Sequence, residues 1–369
     1  MTFVQEPSQP LRVAVVGTGQ IARFAHLPAV RSVGAQLELV AAVDVDESVA
    51  KEFATSFGAG AAFTDVATML DAVRPDLVLV CTPPAWHAEV VVATVRAGAW
   101  AFCEKPPTAS LAELDRIAAA EAAGGGRAEF VFQWRTGSAA EHVRRLIADG
   151  TLGRALVAMV STTWYRDAAY YEAPWRGRWE TEIGGATAGQ GIHAIDLLLS
   201  LLGPWRTVTA VADTLERAIE VEDTSMAIVR FESGALASLV TSVLCPREDS
   251  AVRIDLQDAT VELRQHSGDG SGWTVVPRPG LGDDRLAAAG PVPHDVPASH
   301  GSQLRRLVDD LRAGRAPATG VGQVRPTVEL LAALYKSAAS GRPVRAGEIG
   351  PDDPYYASMH GGRGTVSTG

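Results

Sequence analysis

The sequence is poor in cysteine, has no excess of basic residues and contains no long apolar run. Its three cysteines, Cys81, Cys103 and Cys245, stand in no metal-ligand or Cys-x-x-Cys spacing, so we predict no metal site and expect reduced, buried thiols. The formal net charge of −10 disfavours a nucleic-acid partner, which needs a basic stripe. No stretch approaches the roughly 20 apolar residues of a membrane span, and the first ten residues lack a secretory pattern. These absences favour a cytoplasmic protein that binds neither nucleic acid nor membrane.

What is present is a pattern of apolar segments that predicts two kinds of sheet, and 369 residues are enough for two domains. In the first third, apolar strands alternate with helical stretches, which is typical of an α/β unit with a parallel sheet covered on both faces. Beyond about residue 133 the strands follow one another directly, and Ser233-Gly234 predicts a hairpin. This part is predicted to be α+β with an antiparallel sheet. Residues 266–300, rich in Gly, Pro, Asp and Ser, are expected to form an irregular surface segment.

A glycine-rich turn, GTGQIA, follows the first strand and has the G-x-G-x-x-A spacing. Its first glycine allows a tight turn, and its second lets a pyrophosphate approach the backbone at a helix N-terminus. The next apolar strand ends at Asp44, where an acid bonds ribose hydroxyls. Asp46 lies nearby, and no Arg or Lys stands between Asp44 and Lys51, so a 2′-phosphate is repelled and NAD is favoured over NADP. The cofactor contacts predicted here are Gly17, Gly19, Gln20, Ile21 and Asp44.

A lysine is held between a strand end and two prolines in CEKPP, which follows the apolar segment AWAF. The carboxyl ends of the strands of an open parallel sheet form the ligand crevice. Lys105 is therefore predicted to point toward the cofactor, the alternative being a solvated lysine in a loop.

Small residues precede a single histidine: residues 184–191 read GGATAGQG and lead to His193 at the start of an apolar helix. A glycine-rich approach has poor helix propensity and needs a compensating reason. That reason is either close packing of the backbone or close approach of a ligand, and we favour the ligand, with His193 as a catalytic group. Asp196 either orients the imidazole from one turn away or favours the helix dipole.

These motifs together resemble the Gfo/Idh/MocA family of glucose–fructose oxidoreductases and inositol dehydrogenases. The resemblance runs nearly end to end and rests on GTGQIA, CTPPAWHAEV, CEKP, FVFQWR, WRGRW, the His193 helix, EDTSMAIVRFESGAL and ALYKSAASGRPV. It implies a Rossmann NAD(P)-binding domain over residues 1–133. It also implies an α+β domain over residues 134–369, built on an open, mostly antiparallel sheet that binds substrate and assembles homodimers or homotetramers.

The resemblance implies an NAD(P)-dependent dehydrogenase that oxidises a secondary alcohol of a sugar, sugar acid or polyol by hydride transfer. Lys105 would hydrogen-bond the reacting hydroxyl, His193 would be the acid/base, and Lys105–Pro106 is a candidate cis peptide. Further cofactor contacts are implied for Thr82, Pro83, His87, Glu104 and Lys105. The segment WYRDAAYYEAPWRGRW is rich in aromatic residues, which stack on sugars, and in arginines, which bond hydroxyls or carboxylates. The same segment also fits a packed aromatic loop. The predicted substrate contacts are Trp164, Tyr165, Arg166, Trp175, Arg176 and Gln190.

One position departs from the family pattern. Four residues before the histidine many members carry Asp or Asn, and this chain has Gly189. Two other functions stay open beside the dehydrogenase, and Gly189 favours the second of them. One is a hydrolase or eliminase that uses NAD without net redox, and the other is a dinucleotide-binding sugar sensor with little turnover.

Overall fold

Two β-sheets organise the protein, whose computed structural model describes residues 9–265, 272–280 and 290–362. The strands of the first sheet are β1 (Leu11–Val16), β2 (Leu37–Val43), β3 (Ala61–Phe63), β4 (Leu77–Val80), β5 (Trp100–Cys103) and β6 (Ala128–Phe130). They are parallel, in the order β3-β2-β1-β4-β5-β6, which is a doubly wound arrangement. Alternate residues of β1 and β4 enter two separate apolar clusters, so the sheet is buried on both faces.

Helices fill the connections of this sheet and pack against the second one. Helix α2 shows why they form: Asp46 accepts hydrogen bonds from two amides of its first turn, and Gly58 ends it in a left-handed conformation. Two short π-helical segments, Ala22–His26 and Thr187–Gly191, run directly into α-helices. None of the helices within the described ranges is long and apolar enough to cross a bilayer. The helices are α1 (Leu27–Val33), α2 (Glu47–Phe57), α3 (Val66–Val73), α4 (His87–Arg96), α5 (Leu111–Ala123), α6 (Ser138–Ala148), α7 (Ile192–Leu202), α8 (His300–Ala313), α9 (Val321–Ser340) and α10 (Pro354–Ala357).

The second sheet is mostly antiparallel. Its strands are β7 (Ala155–Tyr165), β8 (Trp205–Asp213), β9 (Thr224–Phe231), β10 (Leu236–Ser242), β11 (Leu244–Leu256), β12 (Ala259–Gln265), β13 (Trp273–Pro277) and β14 (Val344–Arg345). They lie in the order β13-β12-β11-β7-β10-β9-β8-β14, and β7 with β10 is the parallel pair among them. Helices α7 and α9 cover one face, while the other exposes apolar side chains such as Met159, Met226 and Ile228.

Helix α8, although late in the chain, packs against the first sheet. Leu304, Leu307 and Val308 are fully buried in one apolar cluster with Val13 and Val15 of β1. The chain thus returns to its first sheet after seven strands of the second sheet and before β14. The domain division at residues 133/134 stays a prediction.

The fold class predicted from the sequence is confirmed, and so is the hairpin, where Gly234 has a φ of +89° between β9 and β10. The irregular segment expected over residues 266–300 is wrong in part, because β13 pairs with β12 along five residues. Residues 266–271 and 281–289 of that segment lie outside the described residues. Strands as short as β3 and β14 carry too few residues for an alternating pattern to be visible in the sequence.

Candidate active site

The glycine turn after β1 has the shape that a dinucleotide phosphate requires. Gly17 has a φ of +86°, and a Cβ there would lie 2.7 Å from the backbone of Cys81 and Thr82. Beyond its two chain neighbours, no atom of the described residues lies within 4 Å of the Cβ position at Gly19, so the turn is open on that side. Gln20 and Ile21 are exposed at the start of the following helix. The turn therefore leaves room for a pyrophosphate at a helix N-terminus.

Asp44 lies at the end of β2, beside the same turn. Its Oδ2 accepts hydrogen bonds from the backbone N–H of Thr18 at 3.0 Å and from the Thr18 hydroxyl at 2.9 Å, and its Oδ1 accepts from the Asp46 N–H at 3.2 Å. The carboxylate is half-buried and fixed next to the open side of the turn. This is where an acid must lie to reach a ribose, so these residues fit a dinucleotide.

Thr82, Pro83 and His87 follow β4 at the same edge of the sheet. The Thr82 hydroxyl is buried and has no hydrogen-bond partner among the described residues, which leaves it available to a ligand. His87 is completely buried, with Nδ1 2.7 Å from the Pro106 carbonyl and Nε2 2.9 Å from the Thr82 carbonyl. Burial lowers the pKa of His87, against the effect of these two carbonyls. Both ring nitrogens face protein carbonyls, so His87 ties the β4 and β5 loops together.

Glu104 is held by two histidines that the sequence reasoning missed. Its Oε1 accepts from His26 Nε2 at 2.9 Å and from His300 Nε2 at 2.8 Å. Burial acts to raise the pKa of Glu104, but the two imidazoles outweigh it and hold this pKa well below its usual range. His26 ends the first π-helical segment and His300 begins α8, so three distant parts of the chain meet at one carboxylate. No short motif links them, so no local pattern indicates this contact.

Lys105 lies next in the chain, and the Lys105–Pro106 bond is cis, as predicted. Its Nζ donates a hydrogen bond of 2.7 Å to the carbonyl of Gly189, at the glycine-rich segment before His193. Burial lowers the pKa of Lys105, and the negative charge of Glu104 opposes that shift. The structure therefore brings the lysine loop of the first sheet and the histidine segment of the second together.

His193 is buried at the start of α7, where its ring stacks on Trp134 with 5.8 Å between centroids. Its Nδ1 has no hydrogen-bond partner among the described residues. Burial, followed by the charge of Lys105, holds the pKa of His193 well below 6.5, so the ring is neutral at neutral pH. Asp196 does not orient this ring: its Oδ1 accepts from Thr327 and its Oδ2 lies 3.2 Å from Arg135 Nε. The orienting role considered for Asp196 is wrong because the carboxylate points to α9 and Arg135.

Three of the four glycines before His193 are required by packing. A Cβ at Gly184 would lie 2.4 Å from the Tyr335 hydroxyl, at Gly185 1.8 Å from the Glu222 carbonyl oxygen, and at Gly191 2.4 Å from Thr241. Ligand approach is thus the wrong explanation for these three. Gly189 is different, because the nearest atom that a Cβ there meets in the described part of the chain, outside its own helix, is 4.0 Å away.

The predicted substrate residues converge in part, on a tyrosine that the sequence reasoning had not singled out. Arg176 and Gln190 both donate hydrogen bonds to the Tyr170 hydroxyl, and the Arg166 guanidinium lies 5.3 Å from the Tyr170 ring. The same guanidinium stacks on Trp164 at 4.7 Å, and that of Arg176 stacks on Trp175 at 4.1 Å. Tyr165 lies apart from this cluster, with its ring against Arg217.

Comparison with known proteins bears on this site. Residues 11–130 match the oxidoreductase family with an NAD-binding Rossmann fold, and residues 140–262 match the GFO/IDH/MocA C-terminal domain. A protein of Amycolatopsis mediterranei, provisionally named UDP-kanosamine synthase oxidoreductase subunit, is 31% identical over 90% of this chain and 97% of its own. D-glucoside 3-dehydrogenase of Escherichia coli is 26% identical, with the same coverage.

A solved structure supports the same family as these sequence matches. The WlbA dehydrogenase from Bordetella pertussis, in complex with NADH and UDP-GlcNAcA, has a TM-score of 0.81 at 28% identity, covering 91% of this chain and 98% of that one. The predicted dehydrogenase class and NAD cofactor are confirmed by these matches. The chain belongs to the Gfo/Idh/MocA family of NAD-binding oxidoreductases.

Proposed function

We propose that this protein is an NAD-dependent dehydrogenase that oxidises a secondary alcohol of a sugar, sugar acid or polyol. The observation that carries the proposal is that the half-buried Lys105 amine, hydrogen-bonded to the Gly189 carbonyl four residues before His193, lies close enough to the buried imidazole for its charge to lower the pKa of that ring. Relatives named D-glucoside 3-dehydrogenase and D-apiose dehydrogenase support a sugar as the substrate.

The proposed chemistry follows from the charge states of these two groups. His193, neutral and lacking a partner at Nδ1, accepts the proton of the substrate hydroxyl at a ring nitrogen. Lys105 donates a hydrogen bond from Nζ to the same oxygen and stabilises the negative charge that develops there. NAD, when bound, supplies the hydride acceptor. Trp134 fixes the plane of the imidazole from one side.

The turn residues Gly17, Gly19, Gln20 and Ile21 are proposed to hold the pyrophosphate, and Asp44 the adenine ribose. Thr82, Pro83 and Glu104 are proposed to contact the nicotinamide half, with His87 supporting their loop. We further propose NAD over NADP, because Asp44 and Asp46 place negative charge where a 2′-phosphate would have to lie.

We also propose a homodimer or homotetramer built on the exposed face of the second sheet. Met159, Met226 and Ile228 lie on that face, and their strands pair in register through β10. An open apolar sheet face of this kind is typical of an interface. Ile228→Glu is expected to reduce the molar mass measured by light scattering, and an unchanged mass would contradict this assembly.

The function is tested by following NADH formation with aldoses, sugar acids, inositols and alkyl glucosides. Wild type is expected to turn over at least one class, and His193→Ala and Lys105→Ala to lose about a hundredfold or more in kcat while still binding NADH. Normal turnover in both variants would contradict the proposal. Cleavage of an aryl glycoside without net NADH would favour the hydrolase alternative.

A further inference from the structure

A carboxylate that the sequence did not point to lies at the open glycine of the site. Glu182 is buried, its Oε1 accepts a hydrogen bond from Arg176 at 3.0 Å, and its Oε2 accepts one from the Gly177 N–H at 2.5 Å. Among the described residues outside its own helix, the one atom within reach of a Cβ at Gly189 is Oε1 of Glu182, at 4.0 Å. The next residue, Ile183, has a φ of +65°, which a β-branched residue rarely adopts. The chain is therefore held in a strained conformation beside this carboxylate.

Lys105, which follows β5 of the first sheet, approaches Gly189. Its Nζ donates to the Gly189 carbonyl at 2.7 Å, so the amine and the Glu182 carboxylate flank one backbone residue. The half-buried amine has no side-chain hydrogen-bond acceptor among the described residues, and the charges near it decide whether it stays protonated. The groups that act on it are Glu104, Arg176, Glu182 and Arg166, with the neutral rings of His87 and His193 close by.

We propose that Glu182 is a positioning residue for Lys105: reaching into the space that Gly189 leaves open, its carboxylate keeps the Lys105 ammonium charged and holds Arg176 beside the substrate. This inference rests on the proposed role of Lys105. In this arrangement Glu182 supplies a carboxylate beside position 189, although Gly189 itself has no side chain.

The electrostatics agree in direction. Burial lowers the pKa of Lys105, whereas Glu182, like Glu104, raises it. Burial raises the pKa of Glu182, and the Gly177 N–H, Arg176 and Lys105 lower it. Since Arg166 and Arg176 act in the opposite sense on Lys105, removal of one carboxylate leaves Glu104 to oppose two guanidiniums and burial.

The kinetic test uses Glu182→Gln, which keeps the size of the side chain and an acceptor oxygen for Arg176, and which loses the acceptor for the Gly177 N–H. We expect kcat to fall about tenfold, with KM for NAD unchanged within about twofold. The alkaline limb of the kcat profile should move to lower pH, because Lys105 loses its proton earlier. Adding Gly189→Asp should restore both, since it returns a carboxylate to the same space. Gly189→Asn in the same background is the matched control and should restore neither. Equal rescue by Asp and Asn, or a wild-type profile for Glu182→Gln, would overturn the inference.

A second test does not need turnover. The chain contains three lysines, at positions 51, 105 and 336, so ¹³C-labelled lysine gives few NMR signals. The Lys105 signal, assigned by its loss in Lys105→Arg, should titrate at lower pH in Glu182→Gln than in wild type, and return with Gly189→Asp. An unchanged titration would overturn the inference even in an active enzyme. If wild type oxidises no sugar but the titration shifts as expected, the proposed function fails and the pairing of Glu182 with Lys105 stands.

Discussion

Replacing Gly185 by alanine tests whether packing, not ligand access, dictates the glycines before His193. An alanine Cβ would lie 1.8 Å from the Glu222 carbonyl oxygen and 2.8 Å from its carbon. The backbone cannot move away easily, because the Gly185 N–H donates to Glu222 Oε2 and the Thr187 N–H to Oε1, both at 2.9 Å. The Ala186 N–H also donates to the Glu222 carbonyl at 3.0 Å. The overlap must therefore be relieved by breaking this set of bonds.

The expected loss can be worked from these contacts. Overpacking destabilises by about 1–3 kcal/mol, and two distorted hydrogen bonds add about 1 kcal/mol each. The free energy of unfolding should thus fall by about 4 kcal/mol. With about 0.8 kcal/mol per kelvin of unfolding entropy for 369 residues, Tm falls by about 5 °C.

Gly189→Ala is the control, four residues away in the same segment. Its Cβ meets Glu182 Oε1 at an ordinary 4.0 Å, so Tm should stay within about 1 °C of wild type or rise slightly. Scanning fluorimetry of both variants with and without NADH measures the difference. Equal Tm values for the two variants would refute the packing explanation, since only one of them introduces a clash.

Three further predictions concern charge. Because the pKa of His193 is held well below 6.5 by burial and Lys105, the base stays unprotonated in mild acid, and kcat/KM should remain on its plateau below pH 6.5; an acid limb at the ordinary histidine pKa would contradict this. Burial raises the pKa of Glu129 from 4.5 to about 7, so between these pH values the folded state binds a proton that the unfolded state has lost. The contribution of Glu129 to the free energy of unfolding therefore falls by about 3 kcal/mol as the pH rises from 4.5 through 7. Glu129→Gln should flatten that part of the stability profile in urea unfolding, and an identical slope would refute the assignment. Asp44→Ser should raise the kcat/KM ratio of NADP to NAD by about tenfold or more, whereas an unchanged ratio would show that Asp44 does not select the cofactor.

Local patterns predicted those parts of the molecule that depend on neighbours in the chain. The glycine turn and the hairpin at Gly234 each depend on a few consecutive residues, and the cis Lys105–Pro106 bond followed from the family resemblance of one short motif. Long apolar strands likewise revealed both sheets, because burial on both faces or on one face leaves different patterns.

Contacts between segments that are distant in the chain are not visible as local patterns in the sequence. Glu104 meets His26 and His300 across most of the chain, and Asp196 turned out to bond Thr327 and Arg135 in place of the neighbouring His193. The glycines misled for a related reason, since what excludes a side chain at Gly184 and Gly185 is Tyr335 and Glu222 from other elements. Spacing along the chain contains no information on such partners.

The return of α8 to the first sheet sets an order of events during synthesis. While the strands of the second sheet before α8 are being synthesised, the face of β1 that Leu304, Leu307 and Val308 will cover remains exposed to water. Glu104 meanwhile lacks the hydrogen bond from His300. The first sheet is therefore only partly stabilised until about four fifths of the polypeptide has emerged, because α8 begins at residue 300 of 369. Strand β1 and helix α8 therefore reach their final packing together. A chain that terminates before residue 300 lacks the helix that covers this face of the first sheet.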